Sequence, residues 1–185
     1  MATDDPVVAQ GVPEGLWEFM RTSCGLPFAA FHPQPGGQLP ELARRLLVHG
    51  RDMTSTLAEF HGSLLSVEVL QSRRTENLYL REVFLRTVSN RRIVEYGVLA
   101  VALEQFTATQ RAEIESGQTP LGALLHRFQI PFVSAPISFF SATAPHLAST
   151  ALAPHAGDES FGRLNLLAKR TGEPLAWILE ILPPA

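Results

Sequence analysis

Between Pro40 and Pro120 the chain contains no proline, whereas Pro6, Pro13, Pro27, Pro33, Pro35 and Pro40 crowd its first 40 residues. Proline lacks a backbone donor and breaks helix interiors and central strands. Uninterrupted regular elements can therefore run through the proline-free stretch. The opening segment reads instead as an irregular arm with one short helical candidate, Glu14 to Thr22, whose Trp17, Phe19 and Met20 can pin it to the body. The expected division is a Pro-rich arm, residues 1–40, and one domain, residues 41–185.

Within that domain the hydrophobic period changes along the chain. Leu42, Leu46 and Leu47 form a helical stripe that Gly50 stops. Asp52 has the position of an N-cap for a second helix, Met53 to His61, with Gly62 as its terminator. Alternation then takes over in Leu65, Val67 and Val69, and predicts further strands over Leu78 to Val88 and Ile93 to Leu103, linked by a polar hairpin. Thr107 and Gln110 have capping-box spacing for a helix toward Glu115. Thr119-Pro120 reads as an N-cap and a first-turn proline for a helix through Leu121, Leu124 and Leu125. The text from Ile130 to Ser160 shows little periodicity and reads as a long ordered loop with short elements. Strands over Arg163 to Lys169 and Leu175 to Leu182 close the chain around Thr171-Gly172. The pattern predicts an α+β fold: a mainly antiparallel sheet covered by helices.

Composition narrows the function. A formal charge of −3 and a pI near 6.1 argue against a general nucleic-acid binder, which needs a basic stripe. A single cysteine, Cys24, excludes a disulfide framework and fits a reducing cytoplasm. No apolar run is long enough to span a membrane. Motifs for dinucleotides, P-loop phosphates, serine hydrolases and zinc proteases are absent, and no two of the six histidines have helical ligand spacing. No metal site is expected. The basic residues are 14 arginines and one lysine, Lys169. Most of that excess is a compositional habit, but arginine is also the better fork for carboxylates.

Two charges fall where alternation demands apolar side chains. Period two places Arg81 with Tyr79, Val83 and Leu85, and places Glu180 with Ala176, Ile178 and Leu182. Isolated burial of either charge costs several kcal/mol, so each needs a partner, a hydrogen bond or a ligand. A structural ion pair is one solution; a closed pocket in which Arg81 forks a substrate carboxylate is the other. The helix start at Thr119-Pro-Leu-Gly122 and Met53 at the start of another helix are further candidates, each ordinary by itself.

Taken in order, these blocks resemble the chorismate lyases. The match is carried by Arg51-Asp-Met-Thr54, Ser66-Val-Glu-Val-Leu70, Tyr79-Leu-Arg-Glu-Val83 and Gly117-Gln-Thr-Pro-Leu-Gly122. It continues through Phe161-Gly-Arg163 and Gly172-Glu-Pro-Leu175 into Leu179-Glu-Ile-Leu-Pro183. It spans about residues 42 to 184. The resemblance implies an enzyme that eliminates pyruvate from chorismate to leave 4-hydroxybenzoate, without metal or cofactor, in a buried pocket under helical flaps. It implies that Arg81 holds the ring carboxylate, that the Leu121 main-chain amide assists, and that Glu180 contacts the far polar end. Met53 would line the pocket, and Arg163 would meet the second carboxylate. Arg81 and Glu180 are the implied catalytic pair, with chorismate, 4-hydroxybenzoate and pyruvate as partners. The alternative is a small aromatic acid sensor on the same fold. The sequence departs from the family at Leu164, where a second arginine is common, and in Glu95-Tyr-Gly-Val-Leu-Ala-Val101, which lacks the usual polar pattern. From Arg73 to Glu95 six arginines face three acids, a local excess of positive charge suited to an anion.

Overall fold

The computed structural model describes residues 11–143 and 159–184. Its centre is a seven-stranded sheet in which every neighbouring pair is antiparallel. The alternating segments form β2 (Leu65–Arg74), β3 (Leu78–Thr87) and β4 (Ile93–Ala102) as a meander. The C-terminal hairpin, β6 (Glu159–Ala168) and β7 (Pro174–Leu182), attaches to it through β7 beside β4. Gly172, at φ 100°, supplies the left-handed backbone that the tight turn between them needs.

Two strands depart from the sequence reading. The stretch expected to be a loop holds β5 (Val133–Thr143), which pairs with β6, and β1 (Phe31–Gln34) pairs with β5 at the edge. The strand order is β1-β5-β6-β7-β4-β3-β2. Pro136 and a register shift between Pro136 and Ser138 interrupt the alternation of β5, which hides it from a period-two test. Pro33 is tolerated because β1 is an edge strand with pairing on one side only. Residues 144–158, with His146 and His155, lie outside the described residues.

Five α-helices among the described residues cover the sheet unequally. On one face, α1 (Glu14–Thr22) buries Leu16, Trp17, Phe19 and Met20 against Leu80, Phe84, Val98, Phe140 and Leu179. Each large apolar side chain so buried contributes roughly 1.5–3 kcal/mol, so this part of the Pro-rich segment shares the core of the sheet. On the other face lie α2 (Glu41–Leu47), α3 (Met53–His61), α4 (Ala108–Glu115) and α5 (Leu121–Arg127). They pack as two apolar clusters: α2 and α3 over Leu85, Val94 and Leu182, and α4 and α5 over Val83, Leu99 and Ile178.

The caps show why these helices begin where they do. Asp52 accepts from the Ser55 amide at 2.8 Å, and Thr107 with Gln110 forms the expected capping box. The start of α5 differs by one residue. Pro120 itself is the N-cap, and no side chain caps this helix.

A buried cavity with an unpaired arginine

The α2–α5 face carries the unusual charges because three strands present them in register. Along β4 the inward residues are Glu95, Gly97 and Leu99. Leu85, Val83 and Arg81 of β3 stand opposite them, and on β7 Glu180 pairs with Gly97 and Ile178 with Leu99. Above this floor, Asp52, Met53 and Thr54 at the start of α3 meet Pro120, Leu121 and Gly122 at the start of α5. Together these residues line a narrow cavity of about 40 Å³ at the seam between the two apolar clusters. Arg81, Glu180, Met53 and Leu121, separated by up to 127 positions in sequence, thus share one enclosure.

Gly122 makes the close approach of α3 and α5 possible. A Cβ there would lie 2.6 Å from Asp52 Oδ1 and 2.9 Å from Thr54 Oγ1, well inside contact distance. The same junction is tied by His126 of α5, whose Nε2 lies 3.0 Å from Asp52 Oδ2.

Arg81 is buried, and neither its Nε nor its Nη1 has a hydrogen-bond acceptor among the described residues. No carboxylate among the described residues forms an ion pair with it. Burial lowers its pKa to about 10, so it stays cationic at neutral pH. A buried cation with idle donors on a cavity wall is the arrangement an anion completes.

Glu180 is held differently. Its Oε2 accepts from Arg163 Nε, and both groups are fully enclosed. Burial raises the Glu180 pKa, and the neighbouring guanidinium opposes that rise. Arg163 spends its remaining donors on the connection between α2 and α3. Its Nη1 donates to the carbonyls of Leu47 at 2.8 Å and His49 at 3.1 Å, and its Nη2 to Arg51 at 3.0 Å. Ser134 Oγ, itself bonded to Asn165, also donates to the Arg51 carbonyl. Arg163 therefore sits behind Glu180 rather than on the cavity wall, and it fixes the loop that delivers Asp52 and Met53. Arg163, implied to meet a substrate carboxylate, is not among the residues that line the cavity, and four of its five N–H groups are taken by Glu180 and the three carbonyls.

Glu95 is the site residue that the sequence reading passed over. It is buried on the cavity wall, and its Oε2 has no hydrogen-bond partner among the described residues. Burial, the Glu180 charge and Asp52 raise its pKa well above the ordinary value, against the pull of Arg163, and this rise favours its neutral form. The alternation of Glu95 with Gly97, Leu99 and Val101 is the same signal that exposes Arg81.

The local positive excess is largely consumed by surface pairs: Arg73 with Glu18, Arg74 with Glu115, and Arg86 with Glu68. Of those six arginines only Arg81 lines the cavity. A roomier depression of about 260 Å³ lies between α2, α3 and the ends of β4, β6 and β7. Its lining is mostly apolar, and Arg92, His61 and Glu159 are its only ionisable members among the described residues. None of the three is buried, so the chemistry belongs to the smaller cavity.

Solved structures share this architecture. A gene product of Staphylococcus aureus matches with a TM-score of 0.53 at 9% identity, covering 75% of this chain and 92% of its own. PhnF from Mycobacterium smegmatis matches with a TM-score of 0.53 at 11% identity, covering 91% of this chain and 77% of its own. The fold is chorismate lyase-like. A further match, at a TM-score of 0.49 and 12% identity, is the ligand-binding domain of a putative GntR-family transcriptional regulator from Bordetella bronchiseptica; 64% of this chain and 85% of that one are covered. No protein-family model matches the sequence, and no curated protein is significantly similar to it. At these identities the likeness concerns the chorismate lyase-like fold alone. No helix among the described residues is long and apolar enough to cross a membrane.

Proposed function

We propose that this cavity binds a ring carboxylate and that the protein uses it to eliminate pyruvate from chorismate. The observation that carries the reading is Arg81: a buried guanidinium with two idle donors, on the wall of a cavity that also holds Glu180. The family resemblance of the sequence assigns the ring carboxylate to this arginine and the far polar end of the ring to Glu180.

Arg81 forks the ring carboxylate and so sets the direction of the ring. Leu121, at the uncapped start of α5, and Met53, at the start of α3, close over it. Glu180, fixed by Arg163, meets the oxygens at the opposite end. In the reaction the ether C–O bond breaks and enolpyruvate departs. A proton leaves the adjacent carbinol carbon, and the ring becomes aromatic. The raised pKa of Glu180 suits it to take that proton and return it to the departing enolate. The enolpyruvate then tautomerises to pyruvate, so atoms and charge balance. Aromatisation supplies the driving force, and the protein supplies orientation and a dry, charged environment.

A cavity of about 150 Å³ accommodates benzene, and this one measures about 40 Å³. Ligand entry therefore parts α3 from α5 at the Asp52–His126 and Gly122 junction. One observation favours a second reading. Arg163 is engaged with Glu180 and three carbonyls, so among the described residues Arg81 is the single cation on the wall free to take a carboxylate. A monocarboxylate bound without turnover fits that charge as well.

Incubation of the purified protein with chorismate, following pyruvate and 4-hydroxybenzoate, separates the two. The lyase reading expects both products in equal amounts. No product at high enzyme concentration, with 4-hydroxybenzoate still raising the melting temperature, leaves the binding reading alone standing. Where turnover occurs, Arg81→Ala is expected to act mainly on KM and Glu180→Gln mainly on kcat.

A further inference from the structure

Glu95 occupies a fixed place relative to the other two charges. Arg81 stands opposite Leu99 and Glu180 opposite Gly97, while Glu95 is the next inward residue along β4 and faces Leu85. Two residues of strand span about 7 Å. The levels along the floor are therefore Arg81 first, Glu180 next, and Glu95 beyond it. Glu95 lies nearer the Glu180 end of any ring seated on Arg81.

Its surroundings favour the neutral acid over the carboxylate. The charged groups around it are Glu180 on β7, Arg163 on β6, Asp52 at the start of α3 and Arg81 on β3. Burial, Glu180 and Asp52 favour the neutral carboxyl of Glu95, against the Arg163 charge, which is already balanced by Glu180. A protonated carboxyl is a hydrogen-bond donor. Its buried Oε2 meets no acceptor among the described residues, and a buried unmet polar atom is costly unless a ligand satisfies it. Gly97 lets the Glu95 and Val83 side chains come close over it: a Cβ there would lie 3.4 Å from Glu95 Oε1 and 3.2 Å from Val83 Cγ2.

On the reading that Arg81 holds a ring carboxylate, we propose that Glu95 is a specificity-determining donor that selects ring acids carrying two oxygens on adjacent carbons at the far end. Glu180 meets one oxygen and Glu95 donates to the other. A ring acid with a single distal oxygen leaves the Glu95 donor unmet.

Titration calorimetry with 3,4-dihydroxybenzoate and 4-hydroxybenzoate tests this without any need for turnover. The wild type is expected to bind the dihydroxy acid about five- to tenfold more tightly, the worth of one added neutral hydrogen bond. Glu95→Gln keeps a donor and is expected to keep the preference. Glu95→Leu removes the donor and is expected to bring the two acids within about twofold, the discrimination falling with the hydrogen bond. Equal affinity of the wild type for both acids, a comparison that needs no variant, overturns the proposal and leaves the carboxylate site intact. A preference that survives in a cooperatively melting Glu95→Leu protein also overturns it. Failure of the wild type to bind either acid removes the carboxylate site and this proposal together.

Discussion

Arg81 and Glu82 are neighbours on β3, both buried, and they face opposite sides of the same sheet. On the α1 side, Glu82 is fully served. Tyr96 Oη donates to its Oε1 at 2.6 Å and Gln71 Nε2 to its Oε2 at 2.6 Å, while Gln71 also donates to the Ser23 carbonyl just after α1. Burial and the Glu82 charge push the adjacent Cys24 thiol up to about 12, which keeps it an inert thiol. On the α2–α5 side, Arg81 has two idle donors and Glu95 an idle oxygen. Burial of a charge therefore does not mark a binding site in this molecule. What separates Arg81 and Glu95 from Glu82 is satisfaction: the donors and oxygen named lack partners among the described residues, whereas both Glu82 oxygens have them.

The largest effect expected concerns the pair that combines both behaviours. Arg163→Met strands the Glu180 carboxylate and frees three carbonyls, and is expected to cost about 3–5 kcal/mol in chemical denaturation. A loss below about 1 kcal/mol, the scale of an exposed pair, would mean that Arg163 does not fix the α2–α3 connection.

The next expectation separates the two faces directly. Arg81→Met is expected to weaken 4-hydroxybenzoate binding at least 30-fold, since a buried charge-assisted contact is worth about 2 kcal/mol or more. Stability should stay level or rise, because a desolvated, unpaired cation is removed. Glu82→Leu is its mirror. It removes the acceptor of Tyr96 and one of the two acceptors of Gln71, and is expected to cost about 1–3 kcal/mol of stability, with ligand affinity unchanged. Urea melts and titrations of both variants decide whether the asymmetry holds. A destabilised Arg81→Met protein with normal affinity would reverse it.

The smallest effect is in pH. Glu95 has a folded-state pKa raised well above 4.5. The folded state therefore holds this proton over a range where the unfolded chain has lost it, and the Glu95 contribution becomes less favourable as pH rises from about 4.5 toward the raised value. Glu95→Gln does not titrate there. Its melting temperature relative to wild type is expected to climb between pH 5 and pH 8, and a constant difference would show that Glu95 is ionised throughout.

How much of this the sequence discloses depends on whether the signal is local. Arg81 and Glu180 interrupt an apolar alternation, so strand period alone exposes them. Asp52, Gly62 and the Thr107–Gln110 box announce helix ends through local hydrogen bonds, and the helices lie where those caps place them. Met53 and Leu121 carry no local oddity, and only the family resemblance points to them. The partner of Arg163 was not legible, because that pair joins β6 to β7 across the sheet and its other bonds reach back to Leu47, His49 and Arg51. β5 escaped for a related reason: Pro136 and a bulge break its period, and its place is fixed by β6 and by the short β1 from the Pro-rich segment. Glu95 was legible by the Arg81 test, but its importance comes from Glu180 and Asp52, which only the fold brings near.

The claim that Arg81 takes a carboxylate is tested most directly by comparing 4-hydroxybenzoate with 4-hydroxybenzamide in wild type and Arg81→Met. The amide keeps the shape and loses the charge. The wild type is expected to favour the acid by at least about tenfold, and the variant to lose that preference, the coupling of a charge pair in a double-mutant comparison. Equal binding of acid and amide to the wild type, or a preference for the acid that persists in the variant, would contradict it.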